Sequence, residues 1–291
     1  MPTPRISLIA PAHNEAENVQ RLVEEVGRAG PGLARALGGE PGDFEFVLVD
    51  DGSTDDTRAR ALALQPERPW LRIIAMTRTP PGKGGGQSAA FHAGFRACRA
   101  PLVGVLDADL QNDPADLLAM LELLQRQNAD MVQGDRSANR RDNLVRRVGS
   151  IVGRRFRAWI LGDTIRDTGC SLRLLKREIA VQLPLEFRGM HRFIPVTARH
   201  LGYKVVEMPV SHRPRVAGET KYGMGVLTRA LPGLIDCFAV RWMRTRRRPV
   251  ESAEAGASGR PASVVEAAGG AGRQAPVIGS AHAEVTGGAA R

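Results

Sequence analysis

The sequence is poor in cysteine, and it contains no segment typical of export or of membrane spanning. Its three cysteines, Cys98, Cys170 and Cys237, are far apart and form no Cys-x-x-Cys pair. This pattern argues against a disulfide framework and a zinc site, and it fits a reducing cytoplasm. The first residues lack the apolar core of a secretory signal, and no run of about 18 apolar residues would cross a membrane as a helix. We therefore expect a cytoplasmic protein without a transmembrane helix.

Aromatic residues are scarce, at 4% of 291 residues, whereas positive charge is plentiful. The 41 Lys and Arg residues exceed the 31 Asp and Glu residues, which gives a formal net charge of +10. This balance favours anionic partners such as nucleotides, phospholipid surfaces or nucleic acid. Proteins that bind single-stranded nucleic acid interleave basic residues with stacking aromatic ones, which this sequence does not do. A basic nucleic-acid-binding protein is therefore the weakest alternative, and we expect no nucleic acid among the partners.

Short apolar runs alternate with helical patterns in the first third of the chain. Strands are predicted at 5–11, 44–49, 71–76 and 101–106, and helices at 14–26, from about 54, and at 88–98. Strands that alternate with helices imply a parallel sheet whose ligands bind at the carboxyl ends of the strands. The predicted fold class is α/β, with a Rossmann-like, doubly wound, mostly parallel sheet and flanking helices.

Acidic residues cluster where two of these strands end. Asp50 and Asp51 follow the second strand, and Asp107 and Asp109 follow the fourth. Carboxylates in such loops bind a divalent cation or a ribose hydroxyl. An Asp-x-Asp pair can aim two oxygens at one Mg²⁺ or Mn²⁺ ion, which would neutralise a departing pyrophosphate. The alternative is that acidic residues only cap the next helix, and we favour that alternative for the pair at 55–56.

A glycine-rich loop at 80–88 precedes the third predicted helix. It does not match the phosphate-binding P-loop, because Lys83 is followed by Gly84 rather than by Ser or Thr. We therefore interpret it as a flexible loop of the active site.

Five short motifs occur in a fixed order along the chain. They are Pro11-Ala-His-Asn-Glu15, Val49-Asp-Asp-Gly-Ser53, Asp107-Ala-Asp-Leu-Gln111, Asp167-Thr-Gly-Cys-Ser-Leu-Arg173 and Arg215-Val-Ala-Gly-Glu-Thr-Lys-Tyr222. Together they resemble the family 2 glycosyltransferases with the GT-A fold. The last two look like the polyprenyl-phosphate branch, which includes dolichyl-phosphate mannose synthases and bacterial undecaprenyl-phosphate sugar transferases. The resemblance covers about residues 5 to 240.

The resemblance also implies roles for individual residues. The base and ribose of a nucleotide-sugar would be lined by Pro11, His13, Glu15, Val49 and Asp51. His13 stands where the family usually has Tyr. The diphosphate would contact Asp107, Ala108 and Asp109, and the shell of an Mg²⁺ or Mn²⁺ ion would include Asp109 and Gln111. The positions that hold the donor's phosphates match Arg136, Arg215 and Lys221, in keeping with arginine's planar, bidentate grip on phosphate.

A polyprenyl-phosphate acceptor would change what the catalytic residues must do. The second pKa of such a phosphate is ~6, so that it is already a charged nucleophile at neutral pH. A strong general base is then dispensable, and the enzyme must hold the phosphate in line, for which Ser171 and Arg173 are candidates. Asp167 would orient those groups or serve as the base, unless it belongs only to a turn. With Asp109, these three complete the set of candidate catalytic residues.

Two later segments combine apolar residues at helical spacing with many arginines. These segments are 143–160 and 226–243, and an arginine-rich run follows the second. Such a pattern is typical of a helix that lies on an anionic membrane; the alternative is a helix packed on the sheet with a solvated basic face. We expect peripheral association with the inner face of the membrane. Residues 250–291, rich in Ala and Gly and without aromatics, are predicted to be a disordered tail.

These observations predict a single GT-A catalytic domain at 5–240. It would comprise a nucleotide-sugar-binding half at 5–115 and an acceptor-binding half at 116–225, followed by a basic, amphipathic membrane-surface segment at 226–249. The predicted reaction is inverting transfer of a sugar from a UDP- or GDP-linked donor to an undecaprenyl or dolichyl phosphate. The alternatives are a family 2 enzyme that glycosylates a glycan or protein hydroxyl, and a sugar-nucleotide binder without activity.

Overall fold

A seven-stranded sheet organises the residues that the structure describes. The structure is a computed structural model, and it describes residues 3–80, 82–137, 144–213 and 226–248. The strands are β1 (Ile6–Ala12), β2 (Phe44–Asp50), β3 (Leu71–Ala75), β4 (Leu102–Val105), β5 (Met131–Asp135), β6 (Arg173–Lys176) and β7 (Val205–Pro209). Their order is β3-β2-β1-β4-β6-β5-β7, and β6 runs antiparallel to both of its neighbours. The other pairings are parallel, which confirms the predicted mostly parallel α/β sheet.

Helices connect the strands. They are α1 (Val19–Ala36), α2 (Thr57–Leu64), α3 (Gln87–Ala97), α4 (Asp116–Arg126), α5 (Leu144–Leu161), α6 (Arg177–Ala180), α7 (Ile194–His200) and α8 (Val226–Arg246), with a 3-10 turn at Met190–Phe193. The two segments with many arginines thus form α5 and α8. Among the described residues, no helix is long and apolar enough to cross a membrane.

Hydrophobic residues pack on both faces of the sheet. Successive side chains of a strand point to opposite faces, and in β1 both Leu8 and Ile9 are fully buried. Leu8 belongs to a core cluster that includes Leu22 of α1 and Leu117 of α4, while Ile9 belongs to a second cluster that includes Phe91 of α3. Because both faces are covered, strand ends and the loops after them are what remains for binding.

The first helix begins later than the sequence pattern predicts. Instead of Asn14, the first residue of α1 is Val19, because the intervening turn is bound to the loop that follows β2. The Asn14 N–H donates to Ser53 Oγ at 3.0 Å, and the Glu15 N–H donates to Thr57 Oγ1 at 2.8 Å. These bonds hold the turn after β1 against the loop after β2 and against Thr57, the first residue of α2.

The predicted tail at 250–291 lies outside the described residues. So does the fifth motif, Arg215–Tyr222, with the two residues matched to donor phosphates, Arg215 and Lys221.

Gly134 in β5 provides a test of the packing around the antiparallel strand. A Cβ at this position would lie 2.9 Å from the Leu172 carbonyl oxygen and 2.9 Å from Cys170 Sγ. We expect Gly134→Ala to lower the free energy of unfolding by about 1–3 kcal/mol, measured by urea denaturation, because backbone must shift to accommodate the methyl group. The control is Gly153→Ala in α5, where a Cβ meets no described atom within 4 Å. That variant should gain about 0.5–1 kcal/mol, and equal stabilities for the two variants would refute the packing.

Candidate active site

The acidic motifs meet at one edge of the sheet because β1 lies between β2 and β4. The loops after these three parallel strands are therefore neighbours. His13 follows β1, and its Nδ1 lies 2.8 Å from the carbonyl oxygen of Asp51, which follows β2. The structure thus brings the first two sequence motifs into contact.

The Asp51 carboxylate is held by the glycine-rich loop. The Gly85 N–H donates to Oδ1 at 2.6 Å, and the Gly86 N–H donates to Oδ2 at 2.8 Å. Gly84 has φ +63°, and a Cβ there would lie 2.6 Å from the Asp51 carbonyl oxygen, so this close approach requires glycine. Two amides of the loop therefore bind a carboxylate of the protein, in keeping with the mismatch to the P-loop pattern.

The residues matched to the base and ribose differ in exposure. Pro11, His13 and Glu15 are partly exposed, whereas Asp51 is buried. Val49 is only 1% exposed and belongs to the core cluster on the α3 side of the sheet. Its side chain therefore supports the sheet beneath this end of the site.

Asp107 stands at the centre of the polar contacts after β4. Its Oδ1 accepts a hydrogen bond from Gln87 Nε2 at 3.1 Å, and its Oδ2 accepts one from Asn112 Nδ2 at 3.5 Å. Burial and then the nearby charge of Asp109 raise the pKa of Asp107 to about 6. The carboxylates of Asp107 and Asp109 therefore lie close enough to repel each other, in surroundings where water screens their charges poorly.

The loop that carries Asp109 is fixed by backbone geometry. Leu110 has φ 61°, a left-handed conformation that is uncommon for a residue with a side chain. The Gln111 N–H donates to Asp109 Oδ1 at 3.2 Å, while the Gln111 carbonyl accepts from the Arg213 N–H at 2.9 Å. The Arg213 guanidinium also pairs with Asp113. Such strain persists where the surrounding structure enforces it, as it does at many functional sites.

The oxygens of this loop suit a divalent cation. Mg²⁺ and Mn²⁺ prefer carboxylate, carbonyl and water oxygens, and Asp107, Asp109 and the amide of Gln111 supply that chemistry. Within the described ranges, no group of three or more His, Cys, Asp or Glu residues forms a metal site. The remaining ligands would therefore be waters and substrate phosphate oxygens, which is the usual situation for Mg²⁺. The buried Ala108 lies between the two aspartates.

Arg136 and Asp167 form a bidentate ion pair on the far side of β4. Arg136 Nε donates to Asp167 Oδ2 at 2.9 Å, and Nη2 donates to Oδ1 at 3.2 Å. The Gly169 N–H adds a hydrogen bond to Oδ1 at 3.0 Å. The Arg136 side chain is only 12% exposed, so it is not a solvated surface arginine. With both carboxylate oxygens bonded, Asp167 is arranged to orient Arg136.

Ser171 and Arg173, the candidates for holding an acceptor phosphate, have different surroundings. The Ser171 hydroxyl lies 3.4 Å from Gln87 Nε2 and hydrogen-bonds to Asp107, so this residue lies against the diphosphate motif. Arg173 is 1% exposed, and burial lowers its pKa to about 10. Its Nε donates to Gln133 Oε1 at 2.8 Å, and its Nη1 has no hydrogen-bond partner among the described residues. Arg173 thus lies in the protein core next to the site, where its hydrogen bonds stabilise the surrounding backbone and side chains.

Two glutamines were missed by the sequence analysis. Gln87, the first residue of α3, contacts both Asp107 and Ser171. Gln133 is fully buried in β5, and its amide nitrogen donates to the carbonyl oxygens of Asp167 at 3.1 Å and Cys170 at 2.9 Å. The sequence does contain a sign of Gln133, because it is a polar residue within a predominantly apolar stretch, and a buried amide needs hydrogen-bond partners.

With this geometry in view, comparison with known proteins identifies the family. Residues 7–183 match the family model described as glycosyl transferase family 2. The chain belongs to this family. It is 36% identical over 249 residues to the dodecaprenyl-phosphate galacturonate synthase of Rhizobium johnstonii, across 84% of this chain and 69% of that protein. It is 32% identical over 240 residues to the undecaprenyl-phosphate 4-deoxy-4-formamido-L-arabinose transferase of Photorhabdus laumondii, across 82% of this chain and 70% of that protein.

Solved structures of other glycosyltransferases have the same fold. Glucosyl-3-phosphoglycerate synthase from Mycobacterium tuberculosis, in complex with Mn²⁺, UDP and glucosyl-3-phosphoglycerate, aligns with a TM-score of 0.58 at 20% identity, over 82% of this chain and 80% of that one. A Pyrobaculum calidifontis mannosyltransferase, in complex with GDP-Man and Mn²⁺, aligns with a TM-score of 0.52 at 16% identity, over 85% and 77% of the two chains. The predicted GT-A fold and glycosyltransferase class are confirmed.

In this family 2 glycosyltransferase, a partly buried histidine contacts the start of α3. His191 Nδ1 lies 2.8 Å from Ser88 Oγ, and the His191 N–H donates to the same oxygen at 3.1 Å. Burial, together with the positive charges of Arg192 and Arg173, lowers the pKa of His191 to about 3. The imidazole is therefore neutral in the folded protein at neutral pH.

This depressed pKa predicts a loss of stability in acid. As the pH falls from about 6.5 towards 3, the unfolded chain binds a proton at His191 that the folded protein excludes, so the free energy of unfolding decreases. His191→Gln removes this titration, and the variant should lose less stability than wild type between about pH 7.5 and about pH 5. Urea denaturation at both pH values measures the difference, with His92→Gln, at a partly exposed position of α3, as the control. Equal losses in wild type and His191→Gln would contradict the prediction.

Proposed function

We propose that the protein transfers a sugar from a nucleotide-sugar to a polyprenyl phosphate, with inversion at the anomeric carbon. The observation that carries this proposal is the similarity, over more than four-fifths of the chain, to two enzymes named for dodecaprenyl-phosphate and undecaprenyl-phosphate. The arrangement of the site supports it, because an acidic loop that suits a metal and a diphosphate lies near two arginines, the partly buried Arg136 and the buried Arg173.

The donor would occupy the ends of β1, β2 and β4. Its base and ribose would lie along Pro11, His13, Glu15 and Asp51, above the buried Val49. Its diphosphate would lie at Asp107 and Ala108, with Arg136, Arg215 and Lys221 as cationic partners. Asp109 and Gln111 would hold Mg²⁺ or Mn²⁺, and the ion when bound supplies positive charge that stabilises the departing nucleoside diphosphate.

The acceptor phosphate would approach from the side of Asp167 and Ser171. A phosphate monoester is already charged near neutral pH, so its oxygen can attack the anomeric carbon without a strong base. This fits Asp167, whose two oxygens are bonded to Arg136 and Gly169. Attack from the face opposite the leaving diphosphate breaks one glycosidic bond and forms another, which inverts the configuration. The chain's own contribution is alignment and fixed charge.

We also propose that α5 and α8 rest on an anionic membrane. The two helices contact each other, with the Phe156 and Phe238 rings 5.9 Å apart. Large apolar side chains on them are exposed, namely Ile151, Val152, Trp159, Ile235, Phe238 and Trp242. We call these six residues the α5–α8 patch. Exposed arginines flank it, and an apolar surface with basic neighbours favours binding to anionic lipid. This position would present the site to a lipid-linked acceptor.

Asp109 gives the first test of the chemistry. Asp109→Asn should retain the wild-type melting temperature, because the loop loses a charge that repels Asp107. Transfer should fall by roughly a hundredfold or more, since the metal loses a carboxylate ligand. The measurement is transfer of radiolabelled sugar in the presence of Mn²⁺, with Asp43→Asn, just before β2 at the opposite edge of the sheet, as the control. Wild-type rates for Asp109→Asn would remove this residue from the mechanism.

Ser171 gives a test of the acceptor. Ser171→Ala should reduce transfer to polyprenyl phosphate by about ten- to a hundredfold, the usual effect of removing a hydrogen bond to a charged group. Donor affinity, measured by calorimetry, and slow hydrolysis of the donor by water should change much less. Arg173→Lys should reduce transfer further, because a lysine cannot reproduce its bonds within the core. If donor affinity falls as much as transfer, Ser171 belongs to the donor side instead.

The membrane proposal is tested by sedimentation with lipid vesicles. Trp159→Ser combined with Trp242→Ser should weaken binding to vesicles that contain anionic phosphatidylglycerol, because both side chains are exposed apolar members of the α5–α8 patch. Leu62→Ser, an exposed apolar residue of α2 that is 48% exposed, is the matched control and should bind like wild type. Equal binding by both variants would refute a membrane role for the patch.

A further inference from the structure

Arg157 connects α5 to the loop that precedes β6. Its Nη1 donates to Thr168 Oγ1 at 3.0 Å, its Nη2 donates to the Ile165 carbonyl oxygen, and its Nε pairs with Asp163. All three guanidinium nitrogens are therefore bonded to the segment 163–168. The Arg157 side chain is only 13% exposed, and that of Asp163 is fully buried.

The same segment leads directly into the acceptor side of the site. Asp167 lies within it and holds Arg136, while the Thr168 carbonyl oxygen accepts from Arg173 Nη2 at 3.1 Å. Ser171, which contacts Asp107, follows three positions later. Because the segment has no regular secondary structure between α5 and β6, side-chain bonds of this kind determine its shape.

Arg157 also differs from the neighbouring arginines of its helix. Arg154 and Arg155 are exposed, as suits a basic flank beside a membrane surface. Arg157 turns inward instead, where a planar guanidinium with several fixed donors can define a geometry that an ammonium cannot. Its charge is already paired with Asp163, so electrostatic attraction to lipid does not explain its position.

We propose that Arg157 is a positioning residue for the acceptor step. It fixes the segment 163–168, and through it the alignment of Asp167 and Ser171, so that catalytic geometry depends on the helix that carries part of the α5–α8 patch. This inference rests on the proposed function for its kinetic consequence, but the structural link from α5 to the segment stands apart from the identity of the acceptor. Misplacing reacting groups by about an ångström can cost roughly a hundredfold in rate.

The test compares two substitutions that keep the positive charge on α5. Arg157→Lys should lower kcat for transfer to undecaprenyl phosphate by roughly ten- to a hundredfold. The donor's Kd and the rate of donor hydrolysis by water should change by a much smaller factor than kcat, because Asp167 also orients Arg136, which we place at the donor's diphosphate. Arg155→Lys, the matched control, should leave all three quantities unchanged. Thr168→Val removes one bond of Arg157 and keeps the shape of the side chain, so it should show a smaller loss of kcat in the same direction.

A second readout does not depend on the acceptor. Hydrogen–deuterium exchange in the segment 162–172 should be faster in Arg157→Lys than in wild type or Arg155→Lys, because local opening is easier when the bonds are lost. Unchanged exchange and unchanged kcat in Arg157→Lys would overturn the inference, as would equal losses of donor affinity and transfer. If wild type transfers no sugar to undecaprenyl phosphate, the proposed function fails, and the exchange experiment still decides whether Arg157 positions the segment.

Discussion

Concentrated negative charge at the end of β4 is the constraint on which the rest of the site depends. The partly buried Asp107 lies close to the buried Asp109, and its raised pKa expresses the free-energy cost of holding two carboxylates together. The surroundings offset that cost with amide donors from Gln87 and Asn112. A divalent cation would offset it further, and a diphosphate would complete the coordination. In the proposed donor complex, the metal ion would supply the positive charge that this loop lacks.

Two arginines held in fixed geometry, Arg136 and Arg173, place positive charge near Asp107. The Arg136 guanidinium is aligned by two hydrogen bonds to Asp167, and the buried Arg173 is held by a hydrogen bond to Gln133. Because these bonds hold both guanidinium groups in place, little free energy would be spent on reorienting them during transfer. Through Arg157 the same arrangement extends to α5. The residues proposed to contact the donor and the acceptor therefore belong to one polar network around β4 and β6.

The sequence was sufficient to predict what depends on local pattern. Apolar runs located the first four strands, and the ends of β2 and β4 located the acidic residues. Contacts between distant segments could not be predicted from the sequence, because they arise only from tertiary packing. Examples are the hydrogen bond between Gly85 and Asp51 and the antiparallel insertion of β6 between β4 and β5. The late start of α1 has the same origin, since partners on another loop compete with the helix for Asn14.

The central claim is that the nucleophile is a lipid phosphate, and the most direct measurement compares undecaprenyl phosphate with undecaprenol as acceptors. Purified protein would be incubated with Mn²⁺ and a panel of radiolabelled UDP- and GDP-sugars, and the label extracted into organic solvent would be counted. The account predicts that at least one donor yields a labelled lipid with undecaprenyl phosphate and that the same donor yields none with undecaprenol. Equal labelling of the alcohol, or transfer only to a glycan or protein hydroxyl, would contradict it.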